Sequence, residues 1–139
     1  MAREHGFAHY DVEERPHGWP HPELEKVFVS DRTAFVAQLC KHHQRVAINW
    51  GFPVSLISWV KELQACGVKL IWFDGDVARA RDAFRHRGND KGPIENFDRQ
   101  VAAIKNAGFP ASLNCVIVPA LSTSGIFLDQ HQIERLVFP

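Results

Sequence analysis

Neither sign of charge is in excess in this chain: 16 lysines and arginines stand against 16 aspartates and glutamates, so the net charge is zero with histidine neutral. A protein that binds nucleic acid by displacing counterions carries a basic surplus. Its absence argues against a nucleic-acid partner and against electrostatic attraction to a membrane. Long apolar runs are missing too, since none approaches the ~20 residues of a membrane-spanning helix. The opening residues Met1 to Gly6 lack the apolar segment of a secretory signal. Cysteine is scarce. Cys40, Cys66 and Cys115 are odd in number, widely spaced and set in apolar stretches, which predicts buried free thiols in a reducing, cytoplasmic compartment rather than disulfides or metal ligands. Three catalytic signatures are also absent: Gly-x-Ser-x-Gly, His-Glu-x-x-His, and Gly-x-x-x-x-Gly-Lys-Ser/Thr.

What is present fits one globular domain over residues 1–139, with 45% hydrophobic and 11% aromatic residues. Phe7–Val12 reads as a short strand, and Glu13 to Pro22, with Pro16, Gly18, Pro20 and Pro22, as a loop. A helix begins near Ser30 or Asp31, both good N-caps, with Phe35, Val36, Leu39 and Cys40 on one face. Arg45–Trp50 is a strand closed by Gly51-Phe52-Pro53. A helix from about Ser55 to Cys66 carries Leu56, Ile57, Val60 and Leu63, and Gly67 suits its C-terminal end. Val68–Phe73 is nearly all apolar, as in a strand buried on both faces of a parallel sheet. Then follow a charged helix from Val77 to Arg87 ending at Gly88, and a helix from about Ile94 to Ala107 with Phe97, Val101 and Ile104 inward and Gly108 at its end. Asn114–Leu121 is a last strand, and Asp129 caps a terminal helix with Ile133, Leu136 and Val137. Strands alternating with helices imply βαβ units.

In such a sheet ligands bind beyond the carboxyl ends of the strands, which selects Asp11 and Glu13, Asn49 to Pro53, Asp74 and Asp76, and Ser122 to Gly125. Arg79, Arg81, Arg85 and Arg87 lie on one charged helix. Arg81 and Arg85, four apart, repel each other by a few tenths of a kcal/mol, which suits either an anion, clamped by guanidinium groups, or a solvated face neutralised by Asp76 and Asp82. Of eight histidines, His5, His9, His17 and His21 are spaced through the first 21 residues and His42-His43 are adjacent. His9 and Asp11 share a strand face, as paired metal ligands do, but with no tight Cys/His cluster beside them surface or loop histidines are the better explanation of the pattern. Trp19, Trp50, Trp59 and Trp72 suit a core or pocket wall better than a base-stacking platform.

Arg45-Val46-Ala47-Ile48-Asn49-Trp50-Gly51-Phe52-Pro53 resembles the strand and loop of adenylate kinases and related small-molecule kinases, where Asp-Gly-Phe-Pro-Arg follows a hydrophobic strand. Asn49-Trp50 replaces the family's acid, and Val54 its arginine. Val68–Asp74 with the arginine-bearing helix resembles the strand and lid of the same P-loop superfamily. Glu4 to Asp11 resembles the end of the P-loop helix and the strand after it. The resemblance covers nearly the whole chain and rests on the order of its motifs. It implies a three-layer αβα domain with a mostly parallel sheet, and phosphoryl transfer from ATP with Mg2+ to a small molecule. Asp11 would then contact substrate or metal, and Asn49 would stand at the metal-side strand end. Gly51 and Phe52 would line the substrate site. Arg81 and Arg85 would clamp phosphate and act in catalysis with Asp11, and Ser122 and Thr123 would lie against the nucleotide.

The phosphate-binding loop, with its N–H cradle, lysine and metal-binding hydroxyl, is not in the 139 residues, so the chain on its own is expected to be inactive or weak. In the superfamily the strand before that loop lies between those matching Arg45–Trp50 and Val68–Phe73. Without it two strand spacings, about 9–10 Å, separate these two, and their unpaired groups are costly. Three arrangements stay open: direct pairing, a partner chain or second copy in the slot, or a chain that starts downstream of its true beginning. The alternative to an enzyme is a kinase-like remnant that binds a partner or its own copy.

Overall fold

The computed structural model describes residues 6–14, 17–86 and 92–138. The expectations placed on Glu4, His5, Pro16, Arg87 and Gly88 lie outside them. The chain is mixed α/β and falls into two compact units, Met1–Val68 and Lys69–Pro139, each with one parallel strand pair among the described residues.

In the first unit β1 (Ala8–Asp11) pairs in parallel with β2 (Val46–Asn49), Ala8 opposite Val46 and Asp11 opposite Asn49. Between them lie α1 (Leu24–Ser30) and α2 (Arg32–His42). Asp31 separates the two helices. Its extended backbone, φ −155° and ψ 103°, stops α1, and its side chain accepts from Ala34 N and starts α2. Arg32 fastens the corner: Nη1 donates to the Phe28 and Val29 carbonyls, and Nε to Glu62 at 2.7 Å. Glu62 lies on α3 (Ile57–Ala65), entered through a 3-10 turn at Val54–Leu56. Gly67, at φ 89°, takes the left-handed conformation that glycine allows after a helix.

Tyr10, Val12, Trp19, Leu24, Phe28, Phe35, Leu39 and Leu63 form the core here. Phe28 packs edge-on against Phe35, Trp50 and Trp59, and Tyr10 against Trp19 and Phe35. Trp19 is buried with its Nε1 unpaired, an unfavourable contribution of about 1–3 kcal/mol that its ring packing offsets.

In the second unit β3 (Ile71–Asp74) pairs in parallel with β4 (Val116–Pro119), Ile71 opposite Val116 and Phe73 opposite Val118. Helices α4 (Val77–His86) and α5 (Ile94–Asn106) connect them, and α6 (Gln130–Val137) follows. Asp76 Oδ1 accepts from Arg79 N at the start of α4, and Asp129 and Gln132 form a reciprocal capping box on α6. Phe84 and Phe97 join α4 to α5 with ring centroids 5.5 Å apart.

Most expected elements are present, shortened at their ends, and one helix was not expected: α1, whose Leu24 and Phe28 are buried one turn apart. Its seven residues follow Glu23, whose side chain makes no capping hydrogen bond, so only the four-residue spacing of two large apolar side chains marks it. Three burial expectations are corrected. The thiols are free but not buried: Cys40 is exposed, and Cys66 and Cys115 are intermediate. Cys40 follows Leu39, which holds the core position, and so is turned ~100° away from it. Phe73 is 52% exposed, because β3 has only one partner strand among the described residues and is not an enclosed interior strand. Leu136 on α6 is 46% exposed. No helix among the described residues is long and apolar enough to cross a membrane.

Candidate functional site at the strand ends

Parallel register sets Asp11 and Asn49 side by side at the carboxyl ends of β1 and β2. Asn49 Nδ2 donates to Asp11 Oδ2 at 2.8 Å, while Asp11 Oδ1 accepts from the backbone N–H groups of Glu13 and Glu14 at 3.0 and 3.2 Å. Partial burial alone raises the Asp11 pKa, but the Asn49 bond, the two N–H donors and nearby His9 together hold the carboxyl below its usual value. Asp11 is therefore a carboxylate at neutral pH and cannot serve there as a proton donor.

The chain beyond Asp11 folds back on itself. Asp11 N donates to Gly18 O at 2.8 Å, and Gly18 N to Glu14 O at 2.6 Å. A Cβ at position 18 would lie 2.5 Å from Asp11 O and 2.6 Å from Glu14 O, so this return needs glycine. Glu13 reaches across to Gly51, its Oε1 2.9 Å from where a Cβ would stand. The contacting atom is the free end of a flexible side chain, so Gly51 is less constrained than Gly18. Phe52 packs at a tilt against Trp50, centroids 5.6 Å apart. Five expected positions, Asp11, Glu13, Asn49, Gly51 and Phe52, thus occupy adjoining segments of the first unit.

The other expected positions lie in the second unit. Arg81 makes a two-pronged ion pair with Asp98, Nε to Oδ1 and Nη2 to Oδ2, both 2.7 Å. These hydrogen bonds raise the Arg81 pKa and lower that of Asp98. Arg85 is 3.9 Å from Asp82 on its own helix and more than half exposed. Arg79 donates to the Gly125 carbonyl and lies over the Phe127 ring, linking α4 to the loop after β4. In that loop the Ser122 and Ser124 hydroxyls are 2.8 Å apart, Ser122 Oγ accepts from Ile126 N, and Thr123 is exposed. Sequence pattern marked Arg79 only as one of four arginines. Its role depends on a carbonyl 46 residues away, which no local spacing reveals.

The Asp11 carboxylate is the kind of donor a hard cation such as Mg2+ takes, with water and substrate phosphate completing the shell. Asn49 turns its amide nitrogen toward Asp11, so Asp11 would hold the ion and Asn49 would join it only with its amide turned over. ATP fits less well, since the Gly-x-x-x-x-Gly-Lys-Ser/Thr loop is not in this sequence and a few arginines do not replace a cradle of N–H donors.

No family model, curated protein or solved structure matches the chain.

Proposed function

We propose that these 139 residues form the acceptor and lid portions of a kinase-like, three-layer α/β domain that transfers phosphate to a small molecule. The carrying observation is that each unit holds one parallel strand pair among the described residues, β1 with β2 and β3 with β4, with helices between the paired strands. Parallel strands joined through helices are the units from which a kinase-like sheet is built. The Asp11–Asn49 pair at two strand ends supports the same reading, with Asp11 on substrate or magnesium. Arg81 and Arg85 meet phosphate, which for Arg81 requires leaving Asp98. Ser122 and Thr123 lie beside the nucleotide, Gly51 and Phe52 beside the substrate, and the protein works in the cytoplasm.

Calorimetric titration with ATP and GTP in Mg2+ tests this reading. The 139-residue chain should bind no tighter than about 1 mM. A chain extended at its start by a hydrophobic strand and a Gly-x-x-x-x-Gly-Lys-Ser/Thr loop should bind with Mg2+ dependence, and Arg81→Ala should weaken that binding. Tight nucleotide binding by the 139 residues alone, or none by the extended chain, overturns it.

A second reading has its own observation. Phe73, Ile117, Ile126 and Phe127 in the second unit are between 49% and 68% exposed, so apolar side chains are left open there for association. Under this reading the chain is a non-catalytic, kinase-like remnant that associates with itself or a partner. Light scattering across a concentration series should then show a homo-oligomer, and a strictly monomeric chain would exclude self-association.

A further inference from the structure

The first unit gathers a set of donor atoms that takes no part in the strand-end site. His21 lies in the turn before α1, Glu23 directly precedes α1, and His42 is the last residue of α2. One nitrogen or oxygen from each lies within 4.8 Å of the others. His21 Nδ1 is 3.3 Å from Glu23 Oε1, and the His21 and His42 rings stack with centroids 4.1 Å apart at 26°. The cluster is supported from within. The His43 ring packs 5.3 Å from that of His21, and its Nε2 is 3.0 Å from the hydroxyl of fully buried Tyr10. Leu24, next to Glu23, and Leu39, one turn before His43, are both buried in the same core. Core packing thus presets the spacing of the two segments that carry the donors.

We propose that His21, Glu23 and His42 bind one divalent transition-metal ion, with zinc the best match to the donors. Two imidazoles and a carboxylate are a recognised zinc set that leaves a fourth position for water, whereas Mg2+ and Ca2+ take oxygen shells. Bonds of about 2.0–2.2 Å in a tetrahedron place donor atoms roughly 3.3–3.5 Å apart. The His21–Glu23 pair is already at 3.3 Å, and the wider gaps close by side-chain rotation, since Glu23 and His42 are exposed. The ion clasps the loop before α1 to the end of α2, so binding it stabilises the first unit. Without a metal the same residues form a close His21–Glu23 contact beside a stacked ring, and solution measurement separates the two.

The test uses the full chain, stripped with chelator, titrated with Zn2+ by calorimetry and with Co2+ by visible absorption. The expected result is one ion per chain at about micromolar affinity or tighter, the absorption bands of tetrahedral cobalt, a raised thermal midpoint, and no competition from millimolar Mg2+. His42→Ala and Glu23→Gln should each weaken zinc binding on the order of tenfold to a hundredfold and remove most of the thermal shift. His131→Ala, which alters the His131–Glu134 pair on α6, should change neither. Circular dichroism checks folding, and if His42→Ala does not fold, the exposed Glu23→Gln carries the test. Absence of stoichiometric zinc binding, or unchanged affinity in folded Glu23→Gln, overturns the proposal.

Discussion

The two units share a plan, one parallel strand pair with helices between, yet differ in how they are held. Of the ten apolar residues that are buried among those described, nine, from Tyr10 to Leu63, belong to the first unit and only Val118 to the second. The first is built on interlocked aromatic rings. In the second, α4 is held to α5 by Arg81–Asp98 and the Phe84–Phe97 contact, and to the loop after β4 by Arg79, while Phe73, Val77, Ile117, Ile126 and Phe127 stay exposed. Burial of apolar area is the dominant favourable contribution to folding, whereas an exposed ion pair contributes little. One topology can therefore be a stable core in one half of a chain and a lightly supported frame in the other.

Hydrogen exchange should show the contrast most strongly. Amides of α2 and α3 should exchange roughly a hundredfold more slowly than those of α4 and α6, because opening free energy follows buried contacts. Equal protection would break the comparison. Next in size, Phe35→Ala should destabilise the first unit by about 3–5 kcal/mol, since Phe35 is fully buried among Tyr10, Trp19 and Phe28. Val118→Ala should destabilise the second by about 2 kcal/mol. Urea unfolding monitored by tryptophan fluorescence distinguishes the two. Trp19, Trp50 and Trp59 report on the first unit and Trp72 on the second.

Tyr10→Phe removes the hydroxyl that meets His43 while keeping the ring, and should lower stability by about 1 kcal/mol in the same urea assay. The smallest effect belongs to pH. The Asp98 pKa lies below its unfolded value because Arg81 donates to it, so the pair contributes its stability at and above the ordinary carboxylate pKa of about 3.9. That contribution is lost as pH falls through the depressed folded value. Asp98 is exposed and Arg81 partly so, so Asp98→Asn should reduce the acid sensitivity of the second unit only slightly, and less still in high salt.

Sequence reading reached what local periodicity and end signals encode. Asp31 and Asp129 were legible as caps, Gly67 and Gly108 as helix ends, and Val60 and Leu63 as an inward stripe. Alternation of strand and helix gave the α/β class. Asp11 and Asn49 could be chosen separately as strand ends, but that they are neighbours is a property of parallel register. For Arg81 the sequence offered a bound anion or nearby Asp76 and Asp82, and missed Asp98, which is 17 residues away and beyond the reach of any helical spacing. The three-donor cluster stayed hidden for the same reason, as His42 is 21 residues from His21 in sequence. Short-range chemistry is written along the chain, and long-range contact appears only when the core has set its distances.

The glycine at position 18 has a consequence for how this sequence can vary. Its amide and carbonyl close the return that begins at Asp11, and the same loop leads on to His21 three residues later. In a library of all single replacements, position 18 should rank with Phe35 among the least forgiving, even though it has no side chain to lose. Selection for strand-end chemistry would then also constrain the second cluster, because one small residue keeps the path to both.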